Sequence, residues 1–330
     1  MKRFLPLLLA VLLLGGCTPK EPQESRYQAT FLELFDTVTT VVGYAPSEEA
    51  FQETAQDIHD ALESYHQLFD IYNTYPGVEN LKTLNETAAT APVKVDEKIL
   101  ELLTFCREVY DATSGKVNIA MGSVLQLWHD ARESGIADPA NAKLPQEAAL
   151  TEAARHTDLS RLILDEEAGT VFYADPEMSL DVGAIAKGYA LEQVCKTAPE
   201  GLLISVGGNV RATGPKPDGG SWVVGIQNPT GEDEYLHTLE VQDISVVTSG
   251  DYQRYYTVDG VSYHHIIDPA TNYPGRLWRA VTVLCPDSGL FLLPQEAGQA
   301  LLDKFGCEAL WVDSDNNLSY SPGFRDYIRT

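Results

Sequence analysis

The chain has 330 residues, of which 44% are hydrophobic and 22% charged, and its formal net charge is −25. About 300 residues follow the N-terminal leader, enough for one large domain with a well-buried core. The strong acidity and the lack of a basic stripe argue against nucleic acid and anionic headgroups as partners.

The first sixteen residues have the order of a signal peptide. Lys2 and Arg3 precede an apolar run that is too short to span a bilayer. The run ends in Leu-Gly-Gly-Cys, the lipobox pattern in which a diacylglyceryl group is attached to Cys17 and that cysteine becomes the first residue. We therefore predict residues 1–16 to be a lipoprotein signal peptide and the protein to be lipid-anchored on the extracytoplasmic face of the cell membrane. An ordinary secretory peptide whose cleavage site abuts a cysteine is the alternative.

A polar segment follows the lipidation site. Residues 17–26 carry prolines and no hydrophobic periodicity, which is typical of a tether. The folded domain is predicted over residues 27–330. No internal repeat or second linker divides it, so we predict a single domain.

Helical patterns come early in the domain and strand patterns late. A strand is predicted over residues 31–44, a helix over residues 47–69, and a second helix behind Asp96 as N-cap. Residues 138–156 are predicted to be helical, and residues 162–283 to form short strands around one inserted helix. This order predicts an α+β fold with mixed or antiparallel sheets rather than a doubly wound parallel sheet.

Four cysteines follow the lipobox: Cys106, Cys195, Cys285 and Cys307. They lie in apolar stretches and lack CxxC or Cys/His ligand spacing. They are predicted to be buried thiols rather than zinc ligands.

Two segments place glycine and charged residues where a strand ends. In residues 179–190 a strand is predicted to end at Asp181, and a helix to begin behind a glycine, with Lys187 one turn along as a countercharge for a phosphate. A plain strand-to-helix turn with a surface lysine is the alternative. Residues 203–211 form a predicted buried strand that ends in a glycine pair, which a β-bulge or turn also explains.

Two further segments carry histidines and a glycine beside apolar residues. In residues 248–274, His264 and His265 are adjacent on a strand and should face opposite sides, so one would serve a site and the other the structure. In residues 117–128, Gly122 permits close contact with a flat ring. Core packing explains that segment equally well.

Together and in this order, these blocks resemble the ApbE flavin transferases, the FAD:protein FMN transferases. The resemblance is carried by Leu-Asp-Val-Gly-Ala-Ile-Ala-Lys-Gly-Tyr from residue 180, Ser-Val-Gly-Gly-Asn-Val-Arg from 205, Thr-Ser-Gly-Asp-Tyr from 248 and His-Ile-Ile-Asp-Pro from 265. It extends from about Phe31 to Phe324 and includes the lipobox. It implies a single large ApbE-like domain of T-fold-related architecture.

The resemblance also implies a reaction and its residues. Family members bind FAD with a divalent cation, usually Mg²⁺, and transfer FMN through a phosphoester bond to a threonine of an exported electron-transfer protein, releasing AMP. FAD and such acceptor proteins are thus the expected partners. By matching position, the carbonyl oxygen of Ala184 would be a metal ligand, and His265 would take the proton from the acceptor hydroxyl. The FAD site would be lined by Phe35, Tyr72, Ala120, Met121, Gly122, Asp181, Lys187 and Ile267.

The chain departs from the family pattern in one segment. After a strand such as residues 280–284, the family has an Ala-Asp-x-x-x-Thr helix start, whose aspartate and threonine supply the side-chain ligands of the metal. Here Gly289 and Leu290 are joined directly to the later part of that helix, about two turns short. Both ligands are absent.

Three interpretations of this shortening follow. A segment has been lost and transfer is weak, or Asp287 shifts inward and partly replaces the missing aspartate, or the flavin site has become a binding module. The functions to compare are therefore an FMN transferase, with FAD pyrophosphatase as the variant in which water replaces the hydroxyl; a catalytically impaired or non-catalytic flavin-binding surface lipoprotein; and a scaffold without ligand.

Overall fold

The computed structural model describes residues 24–285 and 293–330. The predicted signal peptide, Cys17 and most of the predicted tether lie outside these residues, as do Asp287, Gly289 and Leu290. The described helices are α1 (Glu48–Phe69), α2 (Leu81–Thr87), α3 (Glu97–Ala112), α4 (Gly122–Ala137), α5 (Glu147–Ala153), α6 (Ala186–Cys195) and α7 (Gln295–Phe305). The described strands are β1 (Ser25–Phe31), β2 (Thr39–Ala45), β3 (Val93–Lys94), β4 (Leu162–Asp165), β5 (Thr170–Tyr173), β6 (Leu203–Val206), β7 (Asn209–Ala212), β8 (Trp222–Gln227), β9 (Tyr235–Val241), β10 (Ser245–Gly250), β11 (Tyr255–Val258), β12 (Val261–His264), β13 (Ile267–Asp268), β14 (Tyr273–Pro274), β15 (Ala280–Leu284), β16 (Glu308–Val312) and β17 (Leu318–Tyr320).

The domain is α+β, as predicted. In the described residues the largest sheet has eight strands in the order β1-β2-β6-β7-β10-β15-β16-β17, and its neighbouring strands are antiparallel. Smaller sheets pair β8 with β9, β11 with β12, and β13 with β14, while β5 lies between β3 and β4. Helix α1 packs against β1 and β2, α6 against β6 and β7, and α7 against β16.

Helix α1 begins and packs as its sequence predicts. The Ser47 side chain caps it by accepting a hydrogen bond from the Ala50 N–H at 3.2 Å. Its apolar face buries Phe51, Ile58 and Leu62 in the main hydrophobic core, which also contains residues of α3 and α6 and of the sheet. This packing fixes the position of the C-terminal end of α1, which lines the candidate site.

Strand β15 is buried along its whole length because both faces of the sheet are covered. Val281 and Val283 pack with Trp311 in one cluster, whereas Leu284 belongs to the cluster on the opposite face. Helix α7 contributes Leu302 to the first cluster. This apolar strand leads directly to residue 285, after which the family's metal-ligand helix would begin.

The predicted strand over residues 31–44 is wrong as a single element. Strands β1 and β2 form an antiparallel pair with Phe31 opposite Thr39, and the chain reverses between them. Phe35 and Asp36 take positive φ angles of 54° and 50° in this turn. The reversal escaped the sequence pattern because it uses neither glycine nor proline.

Two other local predictions need correction. Residues 138–156 contain α5 and two short 3₁₀ turns, Pro139–Asn141 and Ala154–His156, rather than one helix. The segment before Asp181 is extended but is not a ladder strand, since it makes only an isolated bridge between Ser179 and Met121. The inserted helix follows at Ala186, close to its predicted start.

The prediction of four buried thiols is wrong for two of the cysteines. Cys285 and Cys307 form a disulfide, with their Cα atoms 5.2 Å apart. They meet because Leu284 pairs with Glu308 across β15 and β16. Cys285 directly follows Leu284 and Cys307 directly precedes Glu308, so the two cysteines lie side by side. Cys106 is a buried thiol outside this disulfide, and Cys195 is a partly buried thiol. The sequence gives no spacing signal for a pairing set by two strands far apart along the chain.

The first described strand, β1, starts at Ser25, just before Tyr27. Among the described residues, no helix combines the length and apolar composition that crossing a membrane requires.

Candidate functional site

A pocket of about 480 Å³ lies where the β1–β2 turn, the end of α1, the start of α6 and the β11–β12 hairpin meet. It joins the four segments that the sequence analysis selected. Its lining includes Phe35, Asp36, His66, Asp70, Tyr72, Lys116, Met121, His129, Arg132, Asp181, Ala184, Lys187, Arg254, His264, His265 and Ile267.

The start of α6 is held against the segment before α4 by backbone hydrogen bonds. The Asp181 N–H donates to Ile119 O at 2.8 Å, and the Gly122 N–H donates to Ser179 O at 3.0 Å. The Asp181 side chain accepts from the Gly183 N–H at 2.8 Å and shapes the turn into the helix. Burial raises the pKa of Asp181, while the bond from Gly183 and the charge of Lys187 oppose that change.

Lys187 lies in the first turn of α6 and lines the pocket. Burial lowers its pKa, and the positive charge of Arg254 lowers it further, whereas Asp181 and Asp36 raise it. A lysine in this setting is a partly desolvated cation at a helix N-terminus, and both features favour a bound anion.

His265 is held by the carbonyl group of Arg254. The backbone N–H of His265 donates to Arg254 O at 3.1 Å, and Nδ1 lies 3.2 Å from the same oxygen. Since a carbonyl oxygen can only accept, the proton of the neutral ring is on Nδ1, and Nε2 carries the lone pair. Burial, followed by the charge of Arg254, lowers the pKa of His265 to about 4. The ring is therefore a neutral base near pH 7.

His264 serves the structure beside it, as expected for adjacent histidines on a strand. It is buried, and its Nε2 lies 2.7 Å from Gly275 O while its Nδ1 accepts from the Ile266 N–H at 3.2 Å. These bonds tie β12 to the loop after β14. They hold the backbone on either side of His265.

A chain of hydrogen bonds fixes the turn that carries Phe35. The Phe35 N–H donates to His66 Nδ1 at 3.2 Å, so the ring proton of neutral His66 is on Nε2, 3.1 Å from Tyr75 Oη. The Tyr75 hydroxyl then donates to Asp70 at 2.7 Å. This series of hydrogen bonds holds Phe35 in its positive-φ backbone conformation at the edge of the pocket.

Tyr72 supplies an aromatic wall on the same side. Its backbone N–H donates to Asp70 at 2.7 Å, and its ring stacks on His129 with the centroids 5.3 Å apart. Burial, followed by the charge of Asp181, raises the pKa of Tyr72 to about 12, so the hydroxyl stays protonated. An aromatic face beside cationic groups suits a ligand with a flat ring and phosphates.

Known proteins share the sequence pattern and the fold of this chain. The model of the ApbE family matches residues 35–311. The chain belongs to the ApbE family. An FAD:protein FMN transferase of Treponema pallidum (strain Nichols) is 32% identical over 308 residues, which are 83% of each chain. One of Klebsiella pneumoniae (strain 342) is 31% identical over 282 residues, covering 81% of this chain and 84% of the other. The crystal structure of the ApbE protein of Thermotoga maritima has a TM-score of 0.77 at 26% identity and covers 93% of this chain and all of its own.

Most of the residues matched to the ApbE site meet in the pocket. Phe35, Tyr72, Met121, Asp181, Lys187 and Ile267 line it together with His265 and Ala184. Their contact with FAD remains a prediction.

Two of the matched residues do not line the pocket. Ala120 is fully buried in the main core. Gly122 is also buried, and a Cβ there would lie 2.5 Å from Ser179 O. The lack of a side chain at Gly122 permits the close approach of the Ser179 backbone, and contact of Ala120 or Gly122 with FAD stays a prediction.

Sequence reasoning missed several residues that line or support the pocket. Arg254 lies within a segment that the motif selected, yet nothing in the pattern gave it a role. His66 and Tyr75 show no motif, and only the fold brings them to Phe35. Lys116 forms an ion pair with Asp268 at 2.7 Å, which joins the segment before α4 to the Ile-Asp-Pro block and explains that aspartate structurally.

Proposed function

We propose that this protein is an FAD:protein FMN transferase, which attaches the FMN half of FAD to a threonine of an exported electron-transfer protein and releases AMP. The observation that carries the proposal is the pocket itself, which combines a neutral histidine base, a partly desolvated lysine and an aromatic wall. The relatives named above bear this activity in their names.

The residues of the pocket account for the proton in this reaction. The acceptor hydroxyl oxygen forms a bond to the phosphorus of the FMN half, and the bond from that phosphorus to the bridging oxygen breaks. The bridging oxygen leaves with AMP, and the hydroxyl proton passes to Nε2 of His265. Lys187 stabilises negative charge on the phosphates, and Tyr72 with Phe35 orients the flavin ring.

The expected magnesium site does not fit the residues that are present. Magnesium prefers six oxygen ligands, and Mg²⁺ sites in proteins usually combine carboxylates with water and substrate phosphates. Of the ligands that the resemblance implies, the described residues contain the carbonyl group of Ala184, and the sequence lacks the aspartate and threonine. A cluster of His59, Asp60 and Glu63 could hold a metal ion, but it lies on α1 and does not line the pocket. We therefore derive no step through a metal.

The proposal is tested by measuring AMP and FMN after the purified protein is mixed with FAD. With a threonine-containing acceptor, AMP should appear in step with flavin that precipitates with protein. AMP and free FMN without acceptor would indicate FAD pyrophosphatase activity instead. Bound FAD without AMP under either condition would indicate a flavin-binding lipoprotein, and a colourless protein that binds no FAD would indicate a scaffold.

We further propose that the mature protein is held on the extracytoplasmic face of the cell membrane through lipid on Cys17. The lipobox supports this location, and the Cys285–Cys307 disulfide supports export, because disulfides persist in oxidising compartments. The charge also fits, since removal of Lys2 and Arg3 takes the formal net charge from −25 to −27 and leaves no basic patch to bind headgroups.

Cys17→Ala should leave the domain folded but move it from the membrane fraction to the medium or to an uncleaved precursor. The measurement is detergent partitioning of cell fractions followed by intact mass. Cys195→Ala is the matched control, because that cysteine is free and far from the signal sequence, and it should remain in the membrane fraction. A Cys17→Ala protein that still partitions into detergent at mature size would show that the anchor assignment is wrong.

A further inference from the structure

Two cations of the pocket, Lys187 and Arg254, form no ion pair with a carboxylate of the described residues. The other cations differ, because Lys116 pairs with Asp268 at 2.7 Å and Arg132 lies 3.4 Å from Glu133. No ion pair of the described residues, taken to 4.0 Å, includes Lys187 or Arg254. Asp181 and Asp36 favour the charged form of Lys187, yet neither forms an ion pair with it among the described residues. In a chain with 48 acidic and 23 basic residues, two such cations in one pocket require an explanation.

The two cations are close enough to affect each other. After burial, the charge of Arg254 is the largest cause that lowers the pKa of Lys187, and Arg254 acts on His265 in the same way. Like charges in a partly desolvated pocket repel, and the repulsion is relieved when an anion binds between them. The pocket that both cations line therefore favours an anionic ligand.

The backbone of Arg254 places this anion beside the base. Its carbonyl oxygen accepts from both the backbone N–H and Nδ1 of His265, and the next residue, Tyr255, pairs with His264 across β11 and β12. Arg254 and His265 therefore lie on one rigid hairpin. The residue whose carbonyl group orients His265 therefore also carries the guanidinium.

We propose that Arg254 is a phosphate-binding residue that, together with Lys187, holds the pyrophosphate of the dinucleotide. This inference rests on the proposed function, and it assigns to a residue of this chain the charge neutralisation that the family's aspartate and threonine provide through a metal. A guanidinium suits the task, since its planar fork binds phosphate oxygens with two hydrogen bonds and stays charged at every physiological pH.

The test compares ligands that share the ring but differ in phosphate. Affinities of FAD, FMN and riboflavin are measured by fluorescence titration for the parent protein, Arg254→Gln and Arg254→Lys. Arg254→Gln should weaken FAD and FMN by about 10- to 100-fold and leave riboflavin unchanged, because only the phosphate loses a charged hydrogen-bond partner. Arg254→Lys should fall between, since it keeps the charge but not the fork. Raising the salt concentration should weaken FAD binding less in Arg254→Gln than in the parent.

The matched control is Arg276→Gln, which removes the same charge from a nearby exposed arginine that does not line the pocket and instead lies over the Tyr263 ring at 5.4 Å. It should leave all three affinities unchanged. Equal losses for riboflavin and FAD in Arg254→Gln would contradict the proposal, because the residue would then act on the ring or on the fold. Unchanged FAD and FMN affinities would also contradict it while the proposed function stands. A parent protein that binds none of the three flavins would instead contradict the proposed function itself.

Discussion

His265→Gln should lower the rate of FMN transfer by about 100- to 10,000-fold, the usual contribution of a positioned general base, and change FAD affinity by less than about 3-fold. Glutamine keeps much of the shape and a donor for the Arg254 carbonyl group, but it has no lone pair of comparable basicity. The reaction would then lose the group that takes the hydroxyl proton. The binding of FAD would be preserved, because we propose that other residues contact its phosphates and its ring. Single-turnover transfer at saturating FAD measures the first effect, and fluorescence titration measures the second.

The same assignment fixes the direction of the pH dependence. The base acts in its neutral form, and burial lowers the pKa of His265 to about 4. The neutral fraction is therefore nearly complete at pH 7 and is lost only as the pH falls toward that value. The transfer rate should stay flat down to about pH 5, whereas a histidine with an ordinary pKa would lose activity below about 6.5.

His59→Gln is the control for this pair of experiments, because that histidine lies on α1 and does not line the pocket. It should leave the rate and its pH profile unchanged. A His265→Gln protein that keeps more than a tenth of the parental rate would show that His265 does not take the hydroxyl proton. A rate that declines with a midpoint near pH 6.5 would show that a different group, or an exposed His265, takes the proton.

Inserting Ala-Asp-Ala-Leu-Ser-Thr-Ala-Leu after Leu290 should raise the transfer rate by about two to three orders of magnitude with little change in FAD affinity. The insertion restores the missing two turns of helix and the two oxygen ligands of the family pattern. A metal gives most of its benefit where charge develops on the transferring phosphoryl group, and the stacking of the flavin ring depends on it much less. The uninserted chain should transfer slowly, because it lacks both of these ligands.

The control insertion is Ala-Ala-Ala-Leu-Ser-Ala-Ala-Leu, which restores the helix length without the ligands. It should leave the rate near that of the uninserted chain. A large gain from the control would show that helix register, rather than metal binding, limits the reaction. An uninserted chain that already transfers as fast as the repaired one would mean that Asp287 or another group holds the metal, or that Lys187 and Arg254 suffice.

Local signals in the sequence predicted much of the fold. Ser47 and Asp96 cap helices as expected. Each side chain accepts a hydrogen bond from a backbone N–H in the first turn of its own helix, where that group has no partner within the helix. The glycine pair Gly207 and Gly208 forms the turn between β6 and β7 with positive φ angles, as its residue types allow. These features depend on residues close together in the chain.

The features that escaped the sequence depend on distant contacts. Phe35 adopts a positive φ because His66, thirty-one residues away, accepts its N–H. Cys285 meets Cys307 through the register of two strands. The site residues were placed by resemblance. A sequence pattern could not show that Arg254 lines the pocket without an ion pair to a carboxylate of the described residues, because that depends on the assembled pocket.

The most direct test of the central claim is covalent flavin on an acceptor protein. The mature protein is incubated with FAD, magnesium and an exported electron-transfer acceptor, either with its target threonine or with that threonine changed to alanine, and the products are separated on a denaturing gel. We expect a fluorescent acceptor band whose mass rises by one FMN, with one AMP released for each, only when the threonine is present. A protein that binds FAD but yields neither a labelled acceptor nor AMP, even after long incubation at millimolar magnesium, would contradict the assignment as an FMN transferase.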